Sequence, residues 1–173
     1  MAETLLMLQE LACTIATQEG LDPDIFLRQI EQESSWDVMA GAHPDSGPGL
    51  CLGLGQLNPR YGEWFIVTHL ADHFSSYDVR EWSDRAIRET LLEPRYNLLI
   101  AAREMARLLK FGERSHRGTY EYALACYNYG VGNVSRVIIE HPRSYLARLP
   151  WETRLYLARV LLNTDARKER GIA

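Results

Sequence analysis

The run DPDIFLRQIEQESSWD, from Asp22 to Asp37, constrains the fold more than any other stretch of this chain. Asp22 ahead of Pro23 reads as a helix start, an N-cap side chain followed by proline at the first helical position. Ile25, Phe26, Leu27 and Ile30 then fall on one side, which predicts a helix ending near Ser34 or Ser35 with that side against a core. At about 100° per residue, Glu33 lands near the centre of the same apolar stripe, whereas Arg28 and Gln32 land on the opposite, wet face. Burial disfavours the charged form of a carboxyl group, so Glu33 is expected to titrate above the ordinary glutamate value and to keep a proton that a general acid can transfer. Glu31, about 200° away, sits at the stripe's edge and reads as a solvated or salt-bridged carboxylate.

The remaining chain supplies helices around this one. MAETLLMLQELACTIATQEG reads as a first amphipathic helix closed at Glu19-Gly20. It carries an acid at Glu3 and no basic segment, and Gln9 and Glu10 interrupt its apolar run, so neither a signal peptide nor a membrane span fits. From Met39 to Leu52 the density of Gly, Pro, Asp and Ser predicts a long loop with room only for short strands. Tyr61 to Phe74 is expected to form a helix, and Asp78 to Leu92 a second, more charged one. His69 and His73 share a helical spacing of four, which can serve a metal, but no HEXXH motif accompanies them and they read as surface histidines. Glu93-Pro94 opens the longest helix, in which Leu98, Ala101, Ala102, Met105, Leu108 and Leu109 recur until Phe111-Gly112 ends it. A further helix runs to Tyr127-Asn128 and breaks at Gly130 and Gly132, a short one follows from Val134 to Ile139, and Pro150 to Leu162 forms the last.

A length of 173 residues with 46% hydrophobic and 24% charged residues suits one well-filled core, and the chain is read as a single mostly α domain over residues 1–173. A net charge of −4 with scattered Lys and Arg gives no nucleic-acid footprint. Cys13, Cys51 and Cys126 are odd in number and lack metal-site spacing, which points to free or buried thiols and a reducing compartment of synthesis.

Three further positions carry candidate chemistry, each with a plain alternative. In GLGQLNP, Gly53 to Pro59, two glycines let the backbone approach something closely and Gln56 offers a donor and an acceptor; the alternative is a tight turn with a surface glutamine. Tyr127 and Asn128 suit a polar cleft, or else are a buried aromatic and a C-cap. Glu152 and Tyr156 share a face at spacing four, while Glu152 alone reads as an acid complementing the helix dipole. From the residues themselves the chain reaches a cleft with one acid.

ESSW at Glu33 to Trp36, GLGQLNP at Gly53 to Pro59, CYNYGVGN at Cys126 to Asn133 and PWETRLYL at Pro150 to Leu157 occur in the order found in the soluble lytic transglycosylases, the SLT-type domains related to goose-type lysozyme. The chain resembles that family from about Phe26 to Val160, and EPRYN, Glu93 to Asn97, resembles the start of the family's long core helix. Gly55 stands where a methionine is common, Tyr129 where an alanine is common, and the interval from Pro59 to Pro94 is longer than the family's compact core. The resemblance implies an α+β lysozyme-like fold, mostly α, with a small irregular or β-like lobe and a groove for peptidoglycan glycan strands. It makes Glu33 the catalytic acid and Ser34, Gln56, Tyr127, Asn128, Glu152 and Tyr156 substrate-binding positions, in a monomer that needs no cofactor or metal.

The activity so implied is cleavage of the β-1,4 bond between N-acetylmuramic acid and N-acetylglucosamine, with a 1,6-anhydro product and one carboxyl group where most glycosidases use two. A hydrolytic goose-type muramidase, with Asp37 or Asp45 positioning water, is the rival enzyme. A non-catalytic glycan-binding or structural module of a phage or secretion apparatus is the rival of another class. A chain without a signal peptide is made in the cytoplasm and reaches the cell wall by another route, such as phage lysis, a virion or a secretion system.

Overall fold

The computed structural model describes residues 2–42, 50–114 and 118–162. Among these residues the chain forms ten α-helices and a 3-10 turn, and its β structure is one antiparallel bridge between Leu52 and Leu57. The expectation of a mostly α chain therefore holds. Asp45 and the middle of the loop after Met39 lie outside the described residues. None of the described helices is long and apolar enough to cross a membrane. The chain divides into two compact units, Met1–Arg103 and Glu104–Ala173.

In the first unit, α1 (Ala2–Gln18) packs against α2 (Pro23–Ser34), and Gly20 makes the turn between them with φ +73°. Asp22 caps α2 as its sequence predicts: Oδ1 accepts from the N–H groups of Asp24 and Ile25 at 2.9 and 3.2 Å. Both helical N–H groups ahead of the first intrahelical bond are thereby satisfied, Pro23 having none. The helix ends at Ser35, whose N–H donates to Glu31 O at 2.9 Å in a left-handed conformation.

After the bridge, the 3-10 turn Pro59–Tyr61 leads into α3 (Gly62–His69), α4 (Ser76–Arg80) and α5 (Asp84–Leu92). Here the structure corrects two expected helices. The first stops at His69, and the second is two helices, because Ser75 and Ser83 each turn a side-chain oxygen onto a backbone N–H, of Tyr77 and Ala86, and start a new helix. His69 is not a surface residue: it is 5% exposed, with its ring against those of Trp64 and Phe65.

α6 (Pro94–Arg114) begins in the first unit and continues into the second. It runs through Gly112 instead of stopping there, since one glycine inside a long helix weakens it by only about 1 kcal/mol. In the second unit α7 (Tyr120–Tyr129) packs against both α8 (Val131–Glu140) and α10 (Trp151–Leu161), with the short α9 (Tyr145–Arg148) between the latter two in sequence. The break after α7 is at Gly130 alone, φ +90°; Gly132 lies within α8.

Candidate active site

The buried face of α2 is Phe26, Gln29 and Ile30. Glu33 follows one turn later in the same direction, about 20° from Phe26 on the helical projection, and is half-buried. Ile25 and Leu27 are half-buried flanks of that face. Arg28 and Gln32 are half-buried too, and Arg28 Nη2 is wholly buried, so the wet-face expectation for them is corrected. A long side chain can lie along the protein surface even from the outer side of a helix. Ser34 Oγ donates back to Ile30 O at 3.2 Å, and Glu31 is exposed as expected.

The backbone around Glu33 is unusual. Among the described residues, the non-glycine residues with positive φ are Ser35 (52°), Trp36 (65°) and Gln56 (49°). Ser35 follows the predicted site residue Ser34, and Gln56 is itself one. A buried tryptophan in the left-handed region is held there by its surroundings, and such outliers concentrate at functional sites.

The segment Cys51 to Leu57 lies in the same unit. Its turn is closed by Leu52 and Leu57, which exchange backbone hydrogen bonds at 2.8 and 3.0 Å, and Leu52, Leu54 and Leu57 are core residues. The close approach expected at the glycines is to Asn97. A Cβ on Gly53 would meet Asn97 Nδ2 at 2.5 Å, and Gly55 N–H donates to Asn97 Oδ1 at 2.6 Å. Gln56 is half-buried and its Nε2 donates to Gly53 O at 2.9 Å within the turn. The charge of Glu33 reaches the Cys51 thiol, which is pushed above its ordinary value first by burial and then by that carboxylate. Asp37, the nearer of the two loop aspartates, turns Oδ1 onto the N–H of Met39 at 2.9 Å.

In the second unit, Tyr127 is half-buried and Asn128 exposed near the end of α7, directly before the Gly130 turn. On α10 the inward face is Thr153, Tyr156, Leu157 and Val160. Tyr156 is 6% exposed, whereas Glu152 is exposed in the first helical turn, so the two differ in depth despite their spacing. Glu152 sits where an acid complements the helix dipole.

Two residues escaped the sequence reading. Asn97 is fully buried and clamps the Gly53–Leu57 turn, a role signalled only by its place in the first turn of a long apolar helix. Gln29 is fully buried on α2 with neither amide atom hydrogen-bonded among the described residues; a polar residue at i−4 from Glu33 was the available signal. The three cysteines are unpaired, and burial pushes the Cys126 thiol up to about 11. No protein-family model, curated protein or solved structure matches the chain.

Proposed function

We propose that this chain is a peptidoglycan lytic transglycosylase of lysozyme-like architecture, cleaving the β-1,4 bond between N-acetylmuramic acid and N-acetylglucosamine. The observation that supports this best is Glu33: a half-buried residue one turn beyond the buried Gln29 and Ile30 of α2, at the point where the helix ends in two consecutive left-handed residues. The four motifs in family order add the substrate class. In the first unit the segment Cys51 to Leu57 is taken as part of the small lobe, with Gln56 a glycan-binding candidate; in the second unit Tyr127, Asn128, Glu152 and Tyr156 are the sugar-binding candidates.

In this mechanism protonated Glu33 gives its proton to the glycosidic oxygen as the bond to the muramyl C1 breaks. The acetamido carbonyl of the same sugar stabilises the oxocarbenium-like centre. The Glu33 carboxylate then takes the proton of the muramyl 6-hydroxyl, whose oxygen bonds to C1 and closes the 1,6-anhydro ring. Glu33 ends as it began, and no water is consumed. Asp37, with one carboxylate oxygen held by its own turn, is not needed in this sequence.

Mass analysis of the soluble products of purified peptidoglycan tests the reading. Muropeptides ending in 1,6-anhydro-N-acetylmuramic acid, one water lighter than lysozyme products, are expected. Reducing-end N-acetylmuramic acid would make the chain a hydrolytic muramidase, and intact glycan that remains bound would make it a binding module.

A further inference from the structure

Gln29 is 0% exposed, and neither its Oε1 nor its Nε2 has a hydrogen-bond partner among the described residues. A buried amide without partners is disfavoured relative to an apolar side chain of the same shape. Its neighbours on the helix face, Phe26 and Ile30, are apolar, and the core offers an obvious place for leucine or methionine. A glutamine there calls for a polar group that engages it in some state of the protein.

Geometry names that group. Residues four apart on a helix are neighbours, with Cβ atoms about 5–6 Å apart. Helical side chains lean toward the N-terminus, so the Glu33 side chain leans back over the turn that carries Gln29. We propose that Gln29 is a positioning residue for Glu33, its amide N–H donating to the Glu33 carboxylate once the proton has left. This rests on the reading of Glu33 as the acid. In the resting molecule the amide is held in reserve; when the carboxylate forms, a side-chain rotation supplies a donor.

The test uses Gln29→Met, near-isosteric and apolar, with Gln29→Leu as a second variant should the first fail to fold. At a pH low enough to keep Glu33 protonated, where the amide has no partner, removing both polar atoms leaves the melting temperature unchanged or raised. The turnover number is expected to fall roughly ten- to hundredfold with KM little changed, as for loss of a hydrogen bond to a charged group. Added to Glu33→Gln, the same substitution is expected to cause no further loss, because its effect passes through Glu33.

A second readout does not depend on activity. Titration of the Glu33 carboxyl carbon by NMR is expected to move upward by roughly one unit in Gln29→Met, since a donor to the charged form has been removed. α2 also carries Arg28 and Glu31, the turn after it Asp37, and the following segment Cys51; α1 contributes half-buried Cys13 beside exposed Glu3 and Glu10. None of these is altered by the substitution. An unchanged or lowered Glu33 titration, or an unchanged turnover number in an active enzyme, overturns the proposal. If Glu33→Gln keeps full activity, or the wild type cleaves nothing, the acid assignment falls, and the titration alone then upholds or overturns the coupling of Gln29 to Glu33.

Discussion

Asn97 Oδ1 accepts a hydrogen bond from Gly55 N–H at 2.6 Å, while its Nδ2 donates to Leu52 O at 2.9 Å and Leu91 O at 2.5 Å. One buried side chain in the first turn of α6 thus ties the Gln56 turn to the end of α5. Asn97→Ala leaves three backbone groups without this partner and is expected to lower stability by about 2–4 kcal/mol. Gly53→Ala, which drives a Cβ into Asn97 at φ +68°, is expected to destabilise as well, by about 1–3 kcal/mol. Urea denaturation of both variants measures these losses, and a wild-type midpoint for Asn97→Ala would refute the clamp.

Arg103 holds the carboxyl group of Asp72 down to about 2, chiefly through their paired hydrogen bonds at 2.7 and 2.8 Å, and also binds Glu19 at 2.9 Å. The folded-state value lies below the unfolded one of about 3.9, so the contribution is complete above that unfolded value and is lost as pH falls toward about 2. Asp72 is largely exposed, which limits the effect to roughly 1 kcal/mol or less. Asp72→Asn is expected to be less stable than wild type at pH 7, with the gap closing as pH falls through about 2. Chemical denaturation across that range checks it, and a stability gap that stays constant with pH would rule out the ion pair as its source.

Cys51 offers a probe of Glu33 that needs no substrate. Its thiol is held up by burial and by the Glu33 carboxylate, in that order. Glu33→Gln removes the second cause, so the thiolate fraction at a given pH rises and alkylation of Cys51 by iodoacetamide quickens, with burial still slowing it. Peptide mass mapping separates Cys51 from half-buried Cys13 and from Cys126. Equal Cys51 rates in the two proteins would show that the carboxylate does not reach the thiol.

Glu33→Gln is also the direct test of the chemistry. The change is nearly isosteric and removes the transferable proton, so release of muropeptides should drop at least ~10²-fold while the melting temperature stays close to wild type. A variant that retains more than about a tenth of the activity, far above that catalytic range, assigns the acid elsewhere.

The features legible in residue order alone are local and periodic. Asp22-Pro23 set the start of α2, Gly20 and Gly130 set turns that need positive φ, and the spacing of apolar residues placed Phe26 and Ile30 on the inward side of their helix. These follow from backbone sterics and helix geometry, which act over a few residues. Ser83 is a short-range signal of the same kind: its side chain caps α5 and breaks the span from Asp78 to Leu92 that periodicity alone reads as one helix. Tertiary structure decided the rest. Gly53 is close-packed because Asn97, distant in sequence, reaches it. Gln29 is sealed from water although glutamine is ordinarily exposed, a depth set by packing. Depth of burial depends on which elements meet, and Glu152 and Tyr156 make the point: one helix and one spacing put the first at the surface and the second in the core, because burial falls off along a helix as well as around it.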